Sequence, residues 1–357
     1  MRILIAGGTG YIGTRLVPEL LRRGHEVVAA SSGEPRPERF AWADRVELVR
    51  MEATDPDRVR QELRGVDALC YLVHGLSSPW FPARDRAAAG VVRDAVDALG
   101  SLGPRRIVYL GGLVPDVPED ELSPHVASRL EVERLLSGSR AATLSLRAGI
   151  VIGAGSTSFE ILRQTASTLL VQPVPVWMRS RVQPIAVADV VRVLADALEG
   201  DATGDADIGG PDVVGYPELL RLYAEVAGLP RLQVPVVGAP VSAVALGAGL
   251  VSAAPYWTAA ALVRSLRHDM VCRPGQPDPA KVDLTDALPL REAVELAVLA
   301  DGPGGRVSGR EPSDPAWVRA SWVEQALAAT RLPGSTLLGS ALHVAEHRVR
   351  GLLGLVR

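Results

Sequence analysis

The first thirty residues of the chain, Met1 to Ala30, are MRILIAGGTGYIGTRLVPELLRRGHEVVAA. The apolar run at 3–6 predicts a strand, and the glycines that follow it predict a tight turn into an amphipathic helix. The helical pattern ends at Gly24, and a second apolar run at 27–30 predicts the next strand. A strand, a glycine turn, a helix and a strand in this order are typical of the βαβ unit that binds a dinucleotide.

Each glycine of the turn has its own expected role. Gly7 permits a sharp bend, Gly10 lets the backbone approach a pyrophosphate, and Gly13 lets the helix lie close to the sheet. The helix N-terminus then offers N–H groups and the positive end of a dipole to the phosphates. The residues predicted to contact the dinucleotide here are Gly7, Thr9, Gly10, Tyr11, Ile12 and Gly13.

The composition limits the classes of function. A length of 357 residues suits one large domain or two, and a net charge of −3 gives no basic surface for nucleic acid, so we expect no nucleic-acid partner. Only two cysteines, Cys70 and Cys272, are present, which argues against a disulfide framework and against a metal site. Together with the lack of a signal-peptide pattern before the first strand, this predicts a cytoplasmic protein.

One stretch, residues 234–263, carries no charged residue and is long enough to span a bilayer. Pro235, Pro240 and Pro255 interrupt it, which disfavours a single membrane-spanning helix. We therefore expect a buried, substrate-facing helical region or a contact with a membrane surface.

The pattern along the chain predicts an α/β fold. Strand-like runs alternate with helical patterns as far as Arg147, as in a doubly wound parallel Rossmann sheet. The strand-like runs are 3–6, 27–30, 46–49, 68–73, 107–110 and 143–146. The predicted parts are a dinucleotide-binding domain at 1–150, a smaller C-terminal substrate-binding part at 151–300 that is interleaved with the sheet edge, a linker at 301–316 and a helical tail at 317–357.

The end of the second strand favours NADP(H) over NAD(H). Ser31, Ser32 and Arg36 lie where NAD-binding proteins usually carry a carboxylate, and hydroxyls with an arginine can hold a 2′-phosphate. The alternative is that Arg36 is merely solvated in a loop and that Glu34 binds the ribose hydroxyls of NAD.

Several motifs occur in a recognisable order: the glycine turn at 7–13, Tyr71–His74, Tyr109–Leu113, Ser123–His125 with Arg129, and Gln183–Ile185 with Asp189. In this order they resemble the atypical, extended branch of the short-chain dehydrogenase/reductase superfamily, and within it the NmrA-like NAD(P)H-binding proteins. The resemblance implies that backbone after the fourth, fifth and sixth strands lines the nicotinamide. The implied residues are Leu72, Val73, His74, Gly75, Leu110, Gly111, Gly112, Ala148, Gly149 and Ile150.

The resemblance also indicates candidate catalytic residues. His125, Arg129 and the pair Gly111–Gly112 stand where the superfamily usually has tyrosine, lysine and serine. An imidazole ordinarily titrates near neutrality, so His125 can supply a proton to a developing alkoxide, and Arg129 can hold ribose hydroxyls or an anionic substrate. His74, at the end of a strand, is the second candidate acid or base.

The alternatives for these side chains are structural. His125 can be a solvated or capping residue, Arg129 can pair with Glu133, and His74 can be a hydrogen-bonded histidine at a strand end.

The candidate substrate pocket combines apolar walls with a few polar groups. Its predicted residues are Trp80, Phe159, Trp177, Arg181 and Gln183. The same aromatic residues are equally typical of an interdomain core.

The sequence therefore favours an NAD(P)(H)-dependent oxidoreductase that acts on a small lipophilic carbonyl or enone. The alternatives are a non-enzymatic NADP redox sensor, and a non-redox isomerase, lyase or cyclase that retains a bound dinucleotide.

Overall fold

The computed structural model describes residues 1–75, 78–273 and 282–299, together with 314, 318, 338–339, 341–342 and 344–346. The strands are β1 (Arg2–Ala6), β2 (Glu26–Ser31), β3 (Glu47–Arg50), β4 (Ala68–Tyr71), β5 (Arg106–Gly112), β6 (Ala142–Ala148), β7 (Val151–Ile152), β8 (Val171–Pro175), β9 (Arg181–Val182), β10 (Ile185–Ala186), β11 (Gly204–Ile208), β12 (Val214–Gly215) and β13 (Leu232–Val236). The helices are α1 (Tyr11–Arg22), α2 (Pro56–Leu63), α3 (Phe81–Leu99), α4 (Pro124–Ser137), α5 (Thr157–Thr168), α6 (Val187–Glu199), α7 (Tyr216–Val226), α8 (Val241–Val251), α9 (Tyr256–Ser265) and α10 (Leu290–Leu299).

The central sheet has the strand order β11-β6-β5-β4-β1-β2-β3. Every neighbouring pair in it is parallel. The order reverses between β1 and β4, and open α/β sheets bind ligands at such a point, outside the carboxyl ends of the strands. The predicted doubly wound Rossmann fold is confirmed.

The two faces of the sheet explain why its strands are apolar throughout. In β1, Ile3 and Ile5 pack into one buried cluster, with α1 and α6. Leu4 and Ala6 pack into the cluster on the opposite face, with α2, α3 and α4. Because side chains alternate between faces, a strand covered by helices on both sides is apolar at every position.

Local signals set the ends of the helices. Gly24 has a φ of +82°, a conformation that favours glycine, and lies between α1 and β2. Asp55 caps α2 by accepting hydrogen bonds from the N–H groups of Asp57 and Arg58. Pro56 occupies the first position of this helix, where its missing N–H costs no hydrogen bond.

The C-terminal part is built on the carboxyl edge of the sheet. Its core contains Phe159 of α5, Tyr223 of α7 and Val294 of α10. A parallel ribbon of β8 and β13 and the pair of helices α8 and α9 complete it. The predicted linker at 301–316 and tail at 317–357 lie outside the described residues, apart from the individual positions given above.

The charge-free stretch at 234–263 forms the end of β13 and the helices α8 and α9. Within the described parts of the chain, no helix has the length and apolar character needed to cross a membrane.

Candidate functional site

The glycine turn after β1 has the geometry that a phosphate-binding turn requires. Gly7 has a φ of +87°, and its carbonyl accepts a hydrogen bond of 3.0 Å from the N–H of Gly10. A Cβ on Gly13 would lie only 2.5 Å from the Gly7 oxygen, so α1 begins directly against the turn. No side chain caps this end of α1, so its first N–H groups remain available to an anion.

A cavity of about 220 Å³ lies at the carboxyl ends of β1, β4, β5 and β6. Many of the predicted cofactor and catalytic residues come together in its wall. These are Gly7, Gly10, Tyr11, Ile12, Gly13, Leu72, His74, Leu110, Gly111, Gly112, His125, Arg129, Ala148 and Gly149. Ile150 lines a second, adjoining cavity.

A second helix N-terminus, not predicted from the sequence, lies on the first cavity. Ser156, Thr157 and Ser158, at the start of α5, line the cavity. The turn before α5 packs closely on the start of α1, since a Cβ on Gly153 would overlap the Tyr11 hydroxyl. The signal that could have indicated this element is the run of glycine, serine and threonine at 153–158, directly before a helical pattern.

The first turn of α1 also holds a buried ion pair. The Arg15 guanidinium stacks on the Tyr11 ring, 3.8 Å from its centroid, and lies 3.1 Å from the carboxylate of Asp314. Both side chains of the pair are nearly excluded from solvent. Asp314 is thereby placed beside the glycine turns, although it lies in the predicted linker.

His125 lies in the first turn of α4. Ser123 caps this helix by accepting the Val126 N–H at 3.3 Å, and Pro124 occupies the first helical position. His125 is partly buried and lines both cavities. Desolvation, then the charges of Arg129 and His74, hold the pKa of His125 well below its usual value of 6.5. Its imidazole is therefore neutral at pH 7.

Arg129 lies one helical turn after His125 and donates a hydrogen bond of 3.3 Å to the Leu110 carbonyl. The alternative pairing of Arg129 with Glu133 does not form, because both carboxylate oxygens of Glu133 bind Arg147. Across the described residues, no carboxylate lies within ion-pair distance of Arg129. Its charge therefore remains available at the edge of the cavity.

His74 follows β4 and faces the same cavity as Arg129. Its ring nitrogen Nδ1 lies 3.2 Å from the carbonyl of Leu72, which is the interaction expected of a strand-end histidine. The positive charge of Arg129 and desolvation lower the pKa of His74 well below its usual value. The next residue, Gly75, is held by a hydrogen bond of 2.9 Å from its N–H to the buried carboxylate of Asp85.

The second cavity has a volume of about 120 Å³ and a largely apolar wall. Its apolar residues are Ile150, Ile161, Leu262, Val263, Leu266 and Met270, with the ring of Tyr216. His125, Ser158 and Ser265 bring polar groups to it. The hydroxyl oxygens of Ser265 and Ser123 are 2.9 Å apart, so α9 is tied to the N-terminus of the helix that carries His125.

The predicted substrate residues lie elsewhere and line neither cavity. Phe159 is fully buried and meets Tyr223 edge to face, with ring centroids 5.8 Å apart. Trp177 is partly buried and donates to the Ala239 carbonyl at 2.9 Å. Trp80 is 77% exposed at the start of α3. Phe159 of α5 and Trp177, just after β8, are thus used for core packing, which is the alternative that the sequence left open.

Arg181 and Gln183 are also engaged in structural contacts. Arg181 pairs with Asp269 at 2.8 Å. The side chain of Gln183 donates to the Gly210 carbonyl at 2.8 Å and accepts from the Cys272 N–H at 2.9 Å. A Cβ on Gly149 would lie 1.9 Å from the Gln183 carbonyl oxygen, so this segment supports the wall of the first cavity from outside.

The predicted adenosine-side residues Ser31, Ser32 and Arg36 lie at the carboxyl end of β2, outside both cavities. Ser32 and Arg36 are exposed. The Glu34 carboxylate, which would bind the ribose hydroxyls of NAD, forms an ion pair with Arg50. Three further predicted cofactor residues, Thr9, Val73 and Gly75, also lie outside the two cavity walls.

The parallel sheet, the crowded glycine turn and the two helix N-termini at one cavity define a dinucleotide-binding Rossmann protein. Comparison with known proteins agrees. Residues 7–200, more than half of the chain, match the model of a family described as NAD(P)H-binding. The chain belongs to this NAD(P)H-binding family, within the atypical short-chain dehydrogenase/reductase superfamily of Rossmann-fold oxidoreductases.

Individual relatives are more distant. The chain is 28% identical over 258 residues to a 3-diazoavenalumate denitrifying reductase from a Streptomyces species, covering 64% of this chain and 83% of the reductase. It is 27% identical over 261 residues to a dTDP-6-deoxy-L-talose 4-dehydrogenase (NAD(P)(+)) from Kitasatospora kifunensis, covering 64% and 80%. The solved structure of the Bordetella bronchiseptica enzyme WbmH in complex with NAD+ aligns with a TM-score of 0.60 at 19% identity, over 83% of this chain and 96% of WbmH.

Proposed function

We propose that this protein is an NAD(P)(H)-dependent oxidoreductase that interconverts a small lipophilic carbonyl compound, or an enone, with its reduced form. The observation that carries the proposal is the position of His125. It lies where the glycine-lined cavity meets the apolar cavity, one helical turn from the positive charge of Arg129. An acid–base group between a cofactor cleft and an apolar chamber is what such a reaction needs.

The residues present fit a dinucleotide. Gly7, Gly10 and Gly13 line the first cavity without bringing a side chain into it, and the positively polarised N-termini of α1 and α5 both lie at this cavity. Arg129, with the backbone at Gly111 and Gly149, is the group we assign to the nicotinamide end. When it is bound, the cofactor supplies or accepts a hydride.

We assign proton transfer to and from the substrate oxygen to His125. In the reducing direction the neutral imidazole first takes a proton from solvent. The imidazolium then gives this proton to the substrate oxygen as negative charge develops there, and the neutral imidazole is restored. In the oxidising direction the neutral imidazole takes the alcohol proton. Arg129 stabilises the partial negative charge on the substrate oxygen or holds the nicotinamide ribose.

The apolar cavity sets the class of substrate. The apolar wall formed by α9 and the residue that follows it favours a hydrocarbon or aromatic group of the substrate. This wall contains Leu262, Val263 and Leu266, and the cavity volume of about 120 Å³ suits a small group. Ser158 and Ser265 can hydrogen-bond to one polar atom of the substrate.

The end of β2 supports a preference for NADP(H). Ser32 and Arg36 are exposed there, and the carboxylate of Glu34 is neutralised by Arg50. A 2′-phosphate would therefore meet hydroxyl and guanidinium groups.

We also propose a cytoplasmic location. Cys70 and Cys272 are free thiols, which supports a reducing compartment.

The test is turnover by the purified protein with NADPH or NADH and a panel of aliphatic and aromatic aldehydes, ketones and enones. We expect substrate-dependent loss of nicotinamide absorbance and a product heavier by two hydrogen atoms. Cofactor binding without turnover across the panel would instead favour a redox sensor. Conversion without this change in mass would favour a non-redox enzyme.

A further inference from the structure

A group of large apolar side chains on the C-terminal part is left uncovered by the described residues. Val237 is 87% exposed and Leu250 is 63% exposed. We define the apolar face as Val176, Val237, Leu246, Leu250 and Trp257. Exposed apolar patches of this kind mark contacts with proteins, ligands or membranes.

The face is formed mainly by the outer side of α8. The inner side of this helix packs through Ala245 and Ala248 against Ala260 and Val263 of α9. Leu246 and Leu250 are four residues apart and both exposed, so they form a stripe on the outer side of α8. The helix is apolar on both sides, and its outer side has no partner among the described residues.

Val237 and Val176 lie beside the start of α8, and Trp257 follows Tyr256, whose ring lies against Gly249 of α8. Val236 pairs with Pro175 in the parallel ribbon, so Val237 and Val176 leave the ribbon at the same end. The side chain of Trp177 bonds to the carbonyl of Ala239 just before α8, which ties that end to the helix.

Unpaired arginines lie along one edge of the face. Arg264 is seven residues after Trp257 and therefore shares its side of α9. Arg267 follows the helix, and Arg179 is brought near by the hydrogen bond from the Ser180 hydroxyl to the Leu266 carbonyl. All three arginines are exposed. None of them pairs with a carboxylate within the described parts of the chain.

We propose that the apolar face docks on a lipid surface that contains anionic headgroups. Apolar side chains that insert into the interface, bordered by cations that meet lipid phosphates and carboxylates, are the features of peripheral membrane binding. No charged residue occurs from 234 to 263, so the charges at the face are those of the bordering arginines, which complement the phosphates and carboxylates of anionic headgroups. The other side of α9 lines the apolar cavity through Leu262 and Val263, so a lipophilic ligand in the membrane would meet this helix first.

The test is co-sedimentation of the full-length protein with phosphatidylcholine vesicles, with and without phosphatidylserine. We expect binding to the anionic vesicles that weakens as salt is added, and weaker binding to the neutral ones. The double substitution Leu246→Glu with Leu250→Glu should weaken partitioning by at least about tenfold. The double substitution Arg264→Gln with Arg267→Gln should weaken binding to the anionic vesicles by about tenfold or more. It should leave binding to the neutral vesicles unchanged.

The matched control is Leu296→Glu, which places the same charge at an exposed leucine of α10 and should bind vesicles like the unmodified chain. Circular dichroism melting establishes that each variant is folded. Absence of vesicle binding overturns the proposal, and so does binding that the double glutamate variant retains.

Two other occupants of the face would also be recognised. Light scattering that shows a dimer, which the double glutamate variant converts to a monomer, would make the face an interface between two copies. Protection of Leu250 and Trp257 from hydroxyl-radical labelling in a vesicle-free monomer would mean that the chain covers the face itself. Either result overturns the proposal.

Discussion

The carboxylate of Glu133 lies on the guanidinium of Arg147, 2.8 Å from its Nε, although Arg129 stands one turn away from Glu133 on the same helix. Both members of this pair are buried, and Arg147 also reaches Asp205 at 2.7 Å. Because a buried arginine needs a carboxylate partner, Glu133 pairs with Arg147 of β6 in the core. Arg129 is thereby left with its charge facing the cavity.

Substitution of His125 tests the proposed proton transfer. His125→Asn should lower kcat by about 10²–10⁴-fold, since this is the usual contribution of a positioned acid or base. The dissociation constant of NADPH, measured by fluorescence titration, should change little. The control is His25→Asn, because His25 pairs with Glu199 far from both cavities. Equal activity of His125→Asn and the unmodified protein would remove His125 from the mechanism.

The pH dependence follows from the lowered pKa of His125. Only the imidazolium can donate the proton, so the rate of reduction should fall as pH rises through the lowered pKa, which lies below 6.5. The rate of oxidation should show the opposite dependence and fall only as pH decreases through this pKa, because oxidation needs the neutral imidazole. Arg129→Gln removes a neighbouring positive charge that depresses this pKa, so both limbs should shift to higher pH. Arg134→Gln, on an exposed turn of the same helix, should leave them in place.

The crowding at Gly13 predicts a steric effect. Gly13→Ala places a Cβ 2.5 Å from the Gly7 carbonyl oxygen, which should destabilise the turn by about 1–3 kcal/mol and weaken binding of both NADH and NADPH. The matched control is Gly90→Ala in the interior of α3, where a Cβ meets nothing within 4 Å. There the substitution should stabilise the fold by about 0.5–1 kcal/mol and leave cofactor affinity unchanged. Thermal melting and cofactor titration measure both effects, and unchanged cofactor binding by Gly13→Ala would contradict this account of the turn.

The choice between NADP(H) and NAD(H) is tested at Arg36. Arg36→Ala should weaken NADPH binding by about tenfold or more, because a charge-assisted hydrogen bond contributes about 1.5–3 kcal/mol. Binding of NADH, which lacks the 2′-phosphate, should be unaffected and serves as the internal control. An equal effect on both cofactors would place Arg36 outside the 2′-phosphate site.

The sequence alone determined the doubly wound parallel class of the fold and the position of its glycine turn. Both depend on short-range rules: apolar runs at 3–6 and 27–30 separated by one helix, and glycines at positions such as Gly7 and Gly13 where a positive φ or a close backbone contact excludes a side chain. Helix caps such as Asp55 and Ser123 are equally local, since donor and acceptor lie within three residues of each other.

Only the tertiary structure decided which side chains meet at the site. Glu133 pairs with Arg147 rather than with Arg129, and Ser123, which caps α4, contacts Ser265 at a separation of 142 residues. The fold also places the N-terminus of α5 at the first cavity. Aromatic residues such as Phe159 are buried in the core. The physical reason is that hydrogen bonds and ion pairs form with whatever lies within a few ångströms in the folded chain, and packing, not spacing along the sequence, sets those neighbours.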